Sequence, residues 1–137
     1  LKAGNIFINK GNRMAKHIET GYNGEEQATK FLEEQGYSIC HRNWRHRRAE
    51  VDIIAKSQEI LVFVEVKTRS YDFFGKPENF VTHKKKILLF DAARAYMEQH
   101  NYEGEIRFDI ISIIWNKGKL KSLNHFEDVF FPGLEFT

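Results

Sequence analysis

The chain has 137 residues, 42% hydrophobic and 29% charged, which is ordinary for one globular domain with a proper core. No apolar run approaches the roughly 20 residues of a membrane-spanning helix. Cys40 is the single cysteine, which excludes an internal disulfide and suits a reducing, cytoplasmic setting. A net charge of +2 says little about partners, so the distribution of charge has to.

Leu1 to Arg13 lack the cationic start, apolar centre and cleavage site of a secretory signal, show no period and precede Met14. They read as an upstream tail or expression remnant, poorly ordered, with residues 14–137 forming one domain. From Tyr22 to Gln35, Ala28, Phe31 and Leu32 recur at helical spacing, with Gly36 as a stop. Glu25 and Glu26 fall in the first turn of that predicted helix, where the dipole favours negative charge. Tyr37 to Cys40 predicts a short strand leading into a basic loop, His41 to Arg48. Two apolar strands follow, within Ala49 to Thr68, separated by the polar break Lys56-Ser57-Gln58-Glu59. Arg69 to Asn79 carries Asp72, Gly75 and Pro77 and reads as a loop. Val81 to Gln99 restores the helical period through Ile87, Leu88, Ala92, Ala95 and Tyr96. Ile106 to Trp115 is a strand, Lys117-Gly118-Lys119 a turn, and Leu120 to Leu123 a short final strand. The order αβββαβ plus a short C-terminal strand predicts an α/β fold, a mixed sheet flanked by helices.

The two central strands carry charges where core strands should have none. Alternation places Val62, Val64 and Val66 on one face of the second strand, and Leu61, Phe63, Glu65 and Lys67 on the other. If Ile60 pairs with Ala55, Glu65 faces Glu50; a slide of two residues puts it opposite Asp52. Either register gathers Glu50, Asp52, Glu65 and Lys67 on one side of the sheet, and a slip of one would separate them. Crowded carboxylates repel unless a proton or a cation joins them. Oxygen ligands without His or Cys favour Mg²⁺ or Mn²⁺ over Zn²⁺. A lysine beside such a site can orient a water attacking phosphorus and offset transition-state charge. The bland alternative is a Glu65–Lys67 pair on an exposed sheet edge.

The preceding segment, His41-Arg42-Asn43-Trp44-Arg45-His46-Arg47-Arg48, concentrates four arginines, two histidines and a tryptophan. Forked guanidinium groups suit phosphate recognition, and Trp44 could stack on a base or turn into the core. His83-Lys84-Lys85-Lys86 adds a second cationic cluster at the start of the second helix. One of these lysines is expected to point toward the sheet, since Val81 and Ile87 bracket them on the expected buried face. A lysine triplet by itself is more often only solvent-facing.

Several linked motifs resemble a known family. Gly21-x-x-Gly24-Glu25-x-x-Ala28 with Phe31-Leu32 and Gly36-Tyr37 resembles its opening helix. Asn43-x-Arg45, Glu50-Val51-Asp52-Ile53-Ile54-Ala55 and Val62-Phe63-Val64-Glu65-Val66-Lys67-Thr68-Arg69 resemble its centre. Phe74-Gly75, Val81, Lys85 and Arg107-Phe108-Asp109 follow in matching order. The chain is similar in these to the YraN family, bacterial proteins related to Holliday-junction resolvases within the PD-(D/E)xK nuclease superfamily. One departure is Ala49, where the family usually has Gly.

The resemblance implies a restriction-endonuclease-like core and a Mg²⁺- or Mn²⁺-dependent endonuclease acting on DNA, branched or otherwise structured. It implies Asp52 and Glu65 as metal-binding carboxylates, the Val66 carbonyl as a further ligand, and Lys67 as the catalytic lysine. Glu25 would match a helix carboxylate that resolvase-like members add to the site, against the simpler reading of dipole complementation. Glu50 would be a weaker candidate for the metal site, lying behind the ligands or pairing with an arginine. Arg69 and Lys85 would contact phosphate, alongside Arg42, Arg45, Arg47 and Arg48 of the basic segment. The alternatives are a catalytically silent nucleic-acid-binding module of the same fold, and a protein-interaction domain. A homodimer is compatible with two-strand cleavage; the apolar tail Phe126 to Phe136 offers an interface for it, or folds back on its own sheet.

Overall fold

The computed structural model describes residues 13–70 and 79–130, with side chains from residue 24 onward. In chain order the elements are α1 (Arg13–Glu34), β1 (Ser38–His46), β2 (Ala49–Ser57), β3 (Ile60–Arg69), α2 (His83–Gln99), β4 (Glu105–Asn116) and β5 (Lys119–Phe126). The strands lie side by side in that order. β1, β2 and β3 form an antiparallel meander and β4–β5 a hairpin, while β3 and β4 run parallel, with α2 making the crossover between them. This is the α/β arrangement of a restriction-endonuclease-like core.

Local chemistry fixes the element ends. α1 stops in a Schellman motif: Gly36 takes φ 95°, its N–H donates to the Glu33 carbonyl, and the Tyr37 N–H donates to the Leu32 carbonyl. Thr82 caps α2, its hydroxyl accepting from the Lys85 N–H at 3.1 Å. Lys117 and Gly118 both take positive φ in the two-residue β4–β5 turn.

The sheet is covered on both faces. Ala28 and Leu32 of α1 pack on Ile53, Ala55, Val62, Val64, Ile111 and Ile113. Leu89, Ala92, Ala93 and Tyr96 of α2 pack on Val51, Ile54, Leu61, Phe63, Phe108 and Ile110. β3 and β4 are central and buried on both sides, which is why they read as nearly continuous apolar runs.

Four expectations need correction. α1 begins at Arg13 rather than Tyr22, so Glu25 and Glu26 lie in its interior, and complementation of a helix start does not explain them. Gly21, Asn23 and Gly24 are poor helix formers and obscured the period there. The segment His41–His46 is strand rather than loop; its charges are tolerated because β1 is an edge strand. Ile87 is 46% exposed and lies off the buried stripe of α2. β5 runs on to Phe126, past the expected end at Leu123. After it, Val129 and Phe130 fold back onto the α2-side core. Residues 1–12, the motif Phe74-Gly75 and residues 131–137 lie outside the described residues. No helix among the described residues is long and apolar enough to cross a membrane.

Candidate functional site

The hairpin adopts the second of the two registers considered: Ile53 pairs with Val64 and Ser57 with Ile60, which brings Asp52 level with Glu65. The β2–β3 ladder ends at Ile53. Val51 packs in the α2-side core and Ile53 in the α1-side core, so one residue, Asp52, breaks the alternation between them. The displaced carboxylate takes over the role that backbone would have had: Asp52 Oδ2 accepts from the Val66 N–H at 2.7 Å. Asp52 is thereby tied to the strand that carries Glu65 and Lys67.

Glu65 is the electrostatic centre. It is 5% exposed on the central strand β3, which rules out the exposed-edge reading. Its Oε2 lies 3.4 Å from Lys67 Nζ and 3.6 Å from Lys85 Nζ. Its Oε1 is buried without a hydrogen-bond partner. Lys85 is thus the lysine of the triplet that points at the sheet. Burial, then the adjacent Glu65, push the Asp52 carboxyl up to about 7 against the pull of the Val66 N–H. Burial also raises Glu25; a hydrogen bond from the Asn43 side chain and the nearby Arg42 oppose it, and Glu50 and Glu65 add to it. Glu25 therefore joins Asp52 and Glu65 in one electrostatic cluster. α1 approaches β3 closely there, since a Cβ on Gly24 would overlap Thr68 Oγ1.

Around this cluster the arginines divide. Arg42 pairs with Glu26 at 2.8 Å, and Arg45 with Glu50 at 3.3 Å across the β1–β2 pair. Glu50 is therefore an arginine partner, one of its two expected roles. Arg47 and Arg48 form the exposed β1–β2 turn, and an Arg69 guanidinium N–H donates to the Thr68 carbonyl at 3.0 Å. Trp44 is turned into the core, with its ring centroid 5.2 Å from that of Tyr96.

Two features escaped the sequence reading. Asn43 lies exposed in β1 with φ 53°; its only signal was membership of a motif with Arg45. Asp109, fully buried, accepts hydrogen bonds from Arg107, from His125 Nε2 at 2.7 Å and from the Asp128 N–H at 2.9 Å, while Arg107 also donates to the Tyr37 hydroxyl. With its hydrogen bonds so filled, this network locks β4, β5 and the chain after α1 together.

The model of the uncharacterised protein family UPF0102 matches residues 24–113, a span that contains every candidate site residue. The chain belongs to the UPF0102 family. A UPF0102 protein of Flavobacterium psychrophilum is 45% identical over 118 residues, covering 86% of this chain and 98% of that protein. One from Bacteroides thetaiotaomicron is 44% identical over 121 residues, covering 88% and 99%. One from Porphyromonas gingivalis is 40% identical over 118 residues, covering 85% and 87%. The UPF0102 family is the YraN-like group that the sequence motifs resemble.

Proposed function

We propose that this UPF0102 protein is a metal-dependent endonuclease that hydrolyses phosphodiester bonds in DNA, with branched or structured DNA as its substrate class. The observation that carries the reading is the meeting of Asp52 and Glu65 at the end of the β2–β3 ladder, flanked by Lys67 and Lys85. Two properties of these residues fit a divalent cation. Glu65 Oε1 is a buried acceptor lacking a donor, and Asp52 sits so close to Glu65 that its ionisation is opposed. No three His, Cys, Asp or Glu side chains among the described residues converge on one point. Asp52, Glu65 and the Val66 carbonyl would therefore hold Mg²⁺ or Mn²⁺ with waters completing its shell, as Mg²⁺ prefers; Glu25 would act from farther out. Such an ion supplies a polarised phosphoryl oxygen and a more acidic water.

The chain's own residues do the rest. Lys67 would orient the attacking water and offset charge growing on the phosphate. Lys85, between Glu65 and the surface, would contact a neighbouring phosphate, as would Arg47 and Arg48 from their exposed turn. Arg42 and Arg45 would exchange carboxylate partners for phosphate or keep the edge strand in place.

Purified protein should nick or cut a panel of linear, flayed and four-way DNA substrates with Mg²⁺ or Mn²⁺, and Asp52→Ala and Glu65→Ala should each abolish it. Cleavage that persists unchanged in both variants would mark a contaminant and end the proposal. One observation favours a silent nucleic-acid-binding module instead: Lys67 and Lys85 already neutralise Glu65 without any metal. That reading expects salt-sensitive DNA binding that persists in EDTA, with no cleavage.

A further inference from the structure

We propose that Lys85 is a place-holder for the divalent cation: without metal its ammonium neutralises Glu65, and its release on metal loading frees it for a DNA phosphate. Metal and DNA then each favour binding of the other through this one side chain. This rests on the metal-dependent reading above and adds the regulation of the same site.

Burial sets the problem. Glu65 is 5% exposed on the central strand, so its charge needs a partner whether or not a metal is there. Two ammoniums supply one, Lys67 Nζ at 3.4 Å and Lys85 Nζ at 3.6 Å, both on Oε2, while Oε1 has no donor.

The two lysines are held differently. Lys67 follows Glu65 by two residues on the same strand and shares its face, so the backbone keeps the pair together. Lys85 comes from the first turn of α2, and its side chain is 36% exposed against 21% for Lys67. At 3.6 Å its ion pair lies beyond hydrogen-bond reach, so letting go forfeits charge compensation but no hydrogen bond to Glu65. Its backbone has no need to move, because its N–H is held by the Thr82 hydroxyl. Only the long side chain swings, and its charged end lies near water. Its neighbours are placed otherwise: Lys84 is exposed, and Lys86 Nζ lies 5.4 Å from the centroid of the Phe130 ring.

Lys85 also acts on Asp52. Burial and Glu65 push that carboxyl up, while the Val66 N–H and the Lys85 charge pull it down. One ammonium thus serves both carboxylates, as a cation shared by them would, but with one charge rather than two. A divalent ion makes it redundant and repels it toward the surface. Linkage then works in reverse, since DNA that draws Lys85 off Glu65 uncovers the carboxylate for metal.

A lysine that served only as a phosphate contact would leave metal binding unchanged in the absence of DNA. As a place-holder it should not. Mn²⁺ binding without DNA, read by calorimetry, should tighten about 5–150-fold in Lys85→Met, the usual range of coupling between sites. Lys84→Met removes an exposed charge from the same turn and should change it by less than about twofold. A damaged fold would bind more weakly, so tightening cannot come from misfolding. NMR relaxation of the wild-type Lys85 side chain should show it ordered without metal and mobile with Mg²⁺. DNA affinity by anisotropy should rise on adding Ca²⁺, which also takes oxygen ligands, and that gain should shrink at least about fivefold in Lys85→Met. Equal or weaker Mn²⁺ binding by folded Lys85→Met, or a Lys85 side chain as ordered with Mg²⁺ as without, would overturn the place-holder and leave the metal-dependent reading intact. Mn²⁺ that binds neither protein sinks that reading, and the place-holder with it.

Discussion

Replacing Asp52 by Asn should stabilise the metal-free protein at alkaline pH and leave it nearly unchanged in acid. In the fold, Asp52 is raised from 3.8 to about 7, first by burial and then by Glu65, with Glu25 adding and the Val66 N–H and Lys85 opposing. A carboxyl whose folded value is raised contributes stability below its unfolded value and loses it as pH climbs through the folded one. The window for Asp52 therefore runs from about pH 4 to about pH 7. At about 1.4 kcal/mol per pH unit, holding the charge above pH 7 costs the fold about 2–4 kcal/mol, the lower figure allowing for water at a partly exposed carboxylate. Asn carries no charge, yet its carbonyl oxygen can still accept from Val66. Urea unfolding in EDTA, followed by circular dichroism, should show Asp52→Asn about 2–4 kcal/mol more stable than wild type at pH 8.5. At pH 4.5 the two should be within about 0.5 kcal/mol. A difference that is flat across pH, or a variant less stable at pH 8.5, would show that Asp52 is not held charged against its surroundings.

Other perturbations probe other parts of the structure. Asp109→Ala should cost about 3 kcal/mol in chemical unfolding, because part-buried Arg107 loses its nearer carboxylate and keeps only Glu127 at 3.6 Å, while His125 and the Asp128 N–H lose their acceptor. Burial alone would raise Asp109, but hydrogen bonds from His125, Arg107 and the Asp128 N–H outweigh it and hold it below the usual range. Its contribution is present above the unfolded carboxylate value and fades as pH falls through the depressed one, so the acid limb of the stability curve should flatten in this variant. Thr82→Ala should cost about 1 kcal/mol of thermal stability by removing the α2 cap. Arg47→Glu with Arg48→Glu should leave the melting temperature unchanged, both residues being exposed in a turn, and should abolish DNA binding measured by anisotropy.

The element order could be read because the helical and strand periods survive in Ala28-x-x-Phe31-Leu32 and in Ile60 to Val64. The register that brings Asp52 level with Glu65 was one of the two considered, and the two-residue turn at Gln58-Glu59 selected it. What stayed hidden has a common physical origin: contacts between elements that leave no period. β1 looked like a loop because its inward residues are His41, Arg42 and Trp44, whose partners lie on two different helices. That one lysine of the triplet points inward was legible, yet neither which one nor its target was, since only the crossover geometry brings Lys85 of α2 over Glu65. The break of alternation at Asp52 was invisible for a sharper reason. Strict alternation was the rule used to place side chains, and this residue departs from it.

The single parallel pair, β3 with β4, also sets an order of events during folding. β1, β2 and β3 are joined by two tight turns, so their contacts close short loops. The β3–β4 pairing must wait until the long connection through α2 has been arranged, with Val64 meeting Asp109 across it. Loop-closure entropy makes that the slower step. Asp52, Glu65 and Lys67 should thus be assembled with the meander, before Lys85 arrives with the crossover. Pulse-labelled amide exchange during refolding should protect Ile53 and Val64 ahead of Ile111 and Ile113. In kinetic terms, the acidic half of the site would exist for a time without its second lysine.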